Sequence, residues 1–199
     1  MDRSQHSLTQ LFFRSAVLLI LIWQSVYFIR TSILDLGDAD YFLHGPNLIF
    51  HEAGHVIFAI FGNDLLTAFG GSLFQCLFPL LLAIAFLFKN RDGFAACCML
   101  WWVGQNLVDV APYINDARSL NLILLGGYTG REVEGHDWEF ILGRLGLLNE
   151  DIYIARRVLL IGRLVMITSL ITSAIFLLFG FQQRLSSARE ARQRLSYDE

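Results

Sequence analysis

Two histidines four residues apart, His51 and His55, enclose Glu52, Ala53 and Gly54. On a helix, positions i and i+4 lie on one face, so both imidazoles can reach a single metal ion. The glutamate after the first histidine points around the same edge. There Glu52 can act as general base on a metal-bound water without filling a coordination position. Gly54 leaves room near the metal for a substrate backbone, although glycine costs helix stability. The flanking residues are apolar, and ionisable groups in such a setting are costly in lipid and mark function. Zinc is the expected metal, because neutral imidazoles with a carboxylate and a water suit it.

A catalytic zinc site needs a third protein ligand. Asp109 and Asp116 lie seven apart, on one helical face with Asn106 and Tyr113. His136 lies in a more polar segment and is followed by Asp137 and Trp138. Asp116 is the expected ligand. The preceding Pro112-Tyr113-Ile114-Asn115 reads as a proline-broken stretch that turns a carboxylate toward a cavity. Asp109 ranks second, with a supporting role beside Asn106 or a ligand histidine as its other reading. His136 ranks third, since histidines in polar loops are usually solvated. Gly70-Gly71-Ser72 with Gln75 has two readings. It is either an opening for an extended substrate, contacted by Gly71, Gln75 and Asn106, or a close helix contact through small residues.

The elements that must position these groups are long and apolar. Hydrophobic residues make up 55% of the 199-residue chain, and mean hydropathy is +0.50, more than a soluble domain of this length hides. A spanning helix needs about 20 mostly apolar residues. Residues 11–29, 46–61, 65–88, 93–114 and 158–181 read as five spans, the second short and broken. The fold expected is therefore all-α: one polytopic membrane bundle over 1–199. It carries a polar stretch with Asp35, Asp38 and Asp40, a soluble excursion over 115–157 and a basic tail over 182–199. Arg14 interrupts the first apolar rise and no small-x-small site follows before Arg30, so this segment reads as a span and not a cleaved signal. Lys89 and Arg91 lie two spans from the arginine-bearing tail, which puts both on the cytoplasmic side. A net charge of −3 gives no support to nucleic-acid binding. Cys76, Cys97 and Cys98 sit in apolar runs as packing residues.

His51-Glu52-x-x-His55 in an apolar helix, a Gly-Gly-Ser-Leu-Phe-Gln segment next and a later helix bearing an aspartate resemble the site-2-protease (M50) class of intramembrane zinc metalloproteases. The resemblance is strong over 50–58 and looser over 70–118. It implies that two histidines and a later aspartate hold zinc. In that class the aspartate sits in an Asn-Pro-Asp-Gly or Leu-Asp-Gly setting, where this chain has Asn115-Asp116-Ala117-Arg118. His136-Asp137-Trp138 resembles a smaller branch of M50-like membrane proteins. The implied activity is hydrolysis of a membrane-embedded or membrane-proximal protein substrate, in or beside the bilayer. Two other readings stay open. One is a membrane scaffold or assembly factor that keeps the metal without turnover. The other is a transporter using Glu52 with Asp109 or Asp116 for ion coupling, against which the absence of repeat symmetry counts.

Overall fold

The computed structural model describes residues 7–37 and 41–197, so Asp38 and Asp40 lie outside the described residues. Every named element is helical. The order is α1 (Leu8–Arg30), α2 (Ile33–Gly37), α3 (His44–Ala59), α4 (Asp64–Phe88), α5 (Gly93–Asn115), α6 (Asp137–Leu145) and α7 (Asp151–Tyr197). Among the described residues there is no strand, and one isolated antiparallel bridge joins Ile123 and Thr129. Local chemistry sets the helix ends. Ser7, Asn63 and Asp92 each accept a hydrogen bond from the backbone N–H three residues on, the usual N-cap arrangement. Gly146, at φ 69°, stops α6 in the left-handed conformation that glycine adopts without strain.

Among the described residues, four helices are long and apolar enough to cross a membrane: α1, α4, α5 and the segment Leu148–Glu190, most of which is α7. The expected second span differs. α3 is continuous, not broken, and its 16 residues make about 24 Å of helix, short of a bilayer core of roughly 30 Å. Gly54 serves it by contact. A Cβ there would fall 2.2 Å from the Gly70 carbonyl oxygen, so glycine lets α3 lie directly on α4. Pro112 does not break α5, which runs on to Asn115. The excursion expected over 115–157 is partly helical, because α6 and the first turns of α7 occupy it.

α5 is the central helix, packed on α7 and α4. Gly104 of α5 and Gly162 of α7 make that contact close, since a Cβ on either would come 2.7 Å from the other's carbonyl oxygen. α1 packs on α7 and is pinned by polar bonds. Arg14 pairs with Asp92 at 2.7 Å, Trp101 Nε1 donates to Ser25 Oγ at 2.7 Å, and Arg163 donates to the Phe28 and Thr31 carbonyls at 3.0 and 2.6 Å. Phe28, near the end of α1, meets Trp101 edge-on. From Trp101, α5 continues for about four more turns. α2, α3 and α6 pack around that upper part, where a buried cluster of Val110, Ile114, Trp138, Ile141, Leu142 and Ala155 closes the bundle.

A candidate metal centre between α3, α4 and α6

His51 and His55 project from successive turns of α3 toward the start of α4. His55 Nδ1 lies 2.9 Å from the Thr67 carbonyl oxygen, which can only accept, so a proton sits on Nδ1 and Nε2 is the nitrogen left for a metal ion. His51 Nδ1 likewise lies 3.0 Å from Gln75 Oε1. Both Nε2 atoms then face one carboxylate oxygen, Asp137 Oδ2, at 3.0 and 3.2 Å. His51, His55 and Asp137 offer one ligand atom each, all within 4.8 Å of one another. Two ring nitrogens and an anionic carboxylate oxygen so close need positive charge among them, either protons shared with Asp137 or a metal ion that displaces them. The donor set, two imidazoles and a carboxylate, suits zinc and leaves a position open.

Backbone space fits as well. A Cβ on Gly71 would lie 2.6 Å from His51 Nε2 and 2.6 Å from His55 Nε2, in the space where the ligand atoms converge. Glycine keeps that space clear. The site opens into a cavity of about 650 Å³ whose wall includes Glu52, both histidines, Asp137 and the apolar Leu122–Leu125 segment. Glu52 is exposed and lies outside the ligand group, on the wall of the same cavity.

Asp137 arrives through the construction of α6. It is the first residue of that helix, and His136 caps the helix by accepting the Glu139 N–H on Nδ1 at 3.1 Å. Burial holds the His136 imidazole below its ordinary pKa, against the pull of Asp116 and Asp137, so the ring is neutral and its Nδ1 is free to accept. Tyr113 of α5 grips Asp137 twice. Its hydroxyl accepts the Asp137 backbone N–H at 2.9 Å and donates to Oδ2 at 3.3 Å. Trp138 docks the helix on α4, donating Nε1 to Ser72 Oγ at 3.0 Å with its ring edge-on to Phe69. Burial opposes charge on Asp137, yet the two histidines hold its carboxyl below the usual carboxylate range, which keeps it anionic.

Comparison with protein-family models, curated proteins and solved structures gives no match.

The carboxylate that meets the two histidines is Asp137, where Asp116 was expected. Because α5 runs on through Pro112, Asp116 sits past its end and faces the following turn, not the histidines. There it accepts from Ser119 Oγ at 2.6 Å, Asn121 N at 2.9 Å and Leu122 N at 2.9 Å, and so shapes the chain that lines the cavity. His136 is not solvated. It is buried, with Nε2 3.4 Å from Asp116 Oδ2. Asp109 is outside the ligand group but accepts from Gln75 Nε2 at 2.7 Å. Gln75 lines the cavity but is largely buried, with its amide oxygen facing His51 Nδ1 and its Nε2 donating to Asp109. Asn106 is also buried and donates to the Trp102 carbonyl at 2.9 Å, away from the cavity wall. Asp137 carried a sequence signal of its own. Gly135-His136-Asp137-Trp138-Glu139 has the form of a capped helix start, in which an aspartate of the first turn is held at a fixed place.

Proposed function

We propose that the chain is an integral membrane zinc metallopeptidase of the site-2-protease kind, cleaving peptide bonds in or beside the bilayer. The observation that carries this reading is the convergence of His51 Nε2, His55 Nε2 and Asp137 Oδ2 beside Glu52 in one open cavity. Bound zinc would polarise the scissile carbonyl and acidify water at the site. Glu52 takes the proton from that water and returns it to the leaving amine, acting first as base and then as acid. Tyr113 holds Asp137 toward the histidines. Gly71 leaves the substrate carbonyl room that any side chain would fill. The apolar Leu122–Leu125 wall suits an extended, apolar stretch of chain.

Four crossings by α1, α4, α5 and α7, with α3 too short to span, give a consistent topology. The 89–92 loop with Lys89 and Arg91 and the arginine-bearing end of α7 then share the cytoplasmic side. The metal centre lies toward the opposite ends of α4 and α5.

Glu52→Gln tests the chemistry. Full-length protein is purified in detergent, its zinc is measured by elemental analysis, and cleavage is followed on a library of quenched-fluorescent apolar peptides. The variant is expected to keep its zinc and lose cleavage by at least 100-fold, the scale of a general base. Loss of zinc from Glu52→Gln would make Glu52 a ligand, and wild type without zinc after supply of the ion would end the reading.

A further inference from the structure

Beside the two histidines, and partly lining the same cavity, runs a chain of buried and half-buried polar side chains that the proposed reaction does not use. It starts at Trp102, whose indole N–H can only donate, and Nε1 donates to Asn47 Oδ1 at 2.9 Å. That fixes the Asn47 amide, and its Nδ2 is directed at Asp109 Oδ2, 3.1 Å away. Asp109 accepts on its other oxygen as well, from the Tyr41 hydroxyl and from His44 Nδ1 at 2.8 Å. An acceptor ringed by donors admits only another donor from Gln75, so the Gln75 amide turns Nε2 to Asp109 at 2.7 Å. Its oxygen is left facing His51 Nδ1 at 3.0 Å, and an amide oxygen only accepts. His51 must then carry a proton on Nδ1, which leaves Nε2, facing Asp137 and His55, as the nitrogen a metal ion can take.

The geometry points to Gln75 as a positioning residue: held by Asp109, it fixes the tautomer and ring orientation of His51, so that Nε2 is the metal-ligating nitrogen. This rests on the zinc reading above. His55 gets the same service from a backbone carbonyl, which cannot turn over. His51 depends on a side-chain amide, which can, and the Trp102–Asn47–Asp109 chain removes that freedom. Outer partners of this kind typically change metal affinity by 10- to 100-fold.

The test uses the full chain in detergent, with zinc affinity read by competition against a chromophoric chelator. Gln75→Met keeps the side-chain length and removes the acceptor, and should bind zinc 10- to 100-fold more weakly. The exchange pair Gln75→Glu with Asp109→Asn keeps an oxygen toward Nδ1 and a donor–acceptor contact between 75 and 109, and should bind zinc no more than about threefold more weakly than wild type. Wild-type affinity in Gln75→Met, or a fall in the exchange pair equal to that in Gln75→Met, overturns the proposal, since the second outcome makes Gln75 a packing residue only. A measurement on unmutated protein stands independently of how the variants fold. In zinc-loaded, ¹⁵N-histidine-labelled wild type, His51 should show a protonated Nδ1 and a metal-bound Nε2. Metal on Nδ1 of His51 overturns the assignment. His55→Ala separates the two levels. Zinc binding lost there but unchanged in Gln75→Met sinks only the Gln75 role, whereas wild-type affinity in His55→Ala sinks the zinc reading itself.

Discussion

Replacing Asp137 and Asp116 in turn by asparagine decides which aspartate meets the metal. The two changes are equal in size and opposite in expected effect. At 137 the substitution removes the anionic member of a three-atom ligand group. Its cost should exceed the 10- to 100-fold of an orienting partner, so zinc affinity should fall by more than 100-fold, at least about 2.7 kcal/mol. At 116 an amide can still accept at one oxygen, but it sets an NH₂ against one of the donors now held at 2.6–2.9 Å. One hydrogen bond to a charged group is lost, roughly 1.5–3 kcal/mol of folding stability. For a chain of this length, that lowers the thermal midpoint by roughly 3 to 12 °C. Chelator competition gives the first quantity, and thermal unfolding of the metal-free protein gives the second. Asp116→Asn should hold zinc within about threefold of wild type and melt early. Asp137→Asn binding zinc like wild type, while Asp116→Asn does not, would refute the assignment of Asp137.

Gly71→Ala places a methyl 2.6 Å from both ligating nitrogens, and only the metal-free histidines can rotate away. Overpacking of about 1–3 kcal/mol therefore falls on the zinc-bound state, and zinc affinity should drop roughly 5- to 150-fold with the metal-free midpoint little changed. Unchanged affinity would show that the imidazoles do not meet beside Gly71. In a background without Cys76, Cys97 and Cys98, single cysteines at Asn90 and Ser186 should react with an impermeant thiol reagent from the same side of sealed vesicles. One at Gly127 should react from the other side, and any other pattern would refute four crossings.

Local chemistry made much of this fold legible. The apolar runs over 11–29, 65–88 and 93–114 mark α1, α4 and α5 in the sequence, and the caps at Ser7, Asn63 and Asp92 set where those helices begin. His51 and His55 were legible for the same reason, since a four-residue spacing is a statement about one helix. The third ligand was not, because it depends on where a separate helix docks. Asp116 drew attention through Pro112, yet a helix that carries on through its proline puts the carboxylate past its end, among the N–H groups of the next turn. The role of Gln75 was hidden likewise. Its two amide ends meet α3 and α5, and nothing in the local sequence fixes which way an amide turns. Asp151 gives the same lesson at the start of α7. Buried against Arg118 at 2.6 Å, it begins the helix seven residues before the apolar run.

The ligand group joins α3 to α6 across the whole length of α4 and α5. An ion held there would act as a removable cross-link, closing a long loop of chain much as a disulfide does. The docking of α6 and the grip on the ion then share one coupling free energy, which must read the same from either side. A change that loosens Trp138 from Ser72, or Tyr113 from Asp137, would weaken the hold on such an ion by at most that coupling. Withdrawal of such an ion would loosen the 116–136 segment in return, and with it the apolar wall of the cavity.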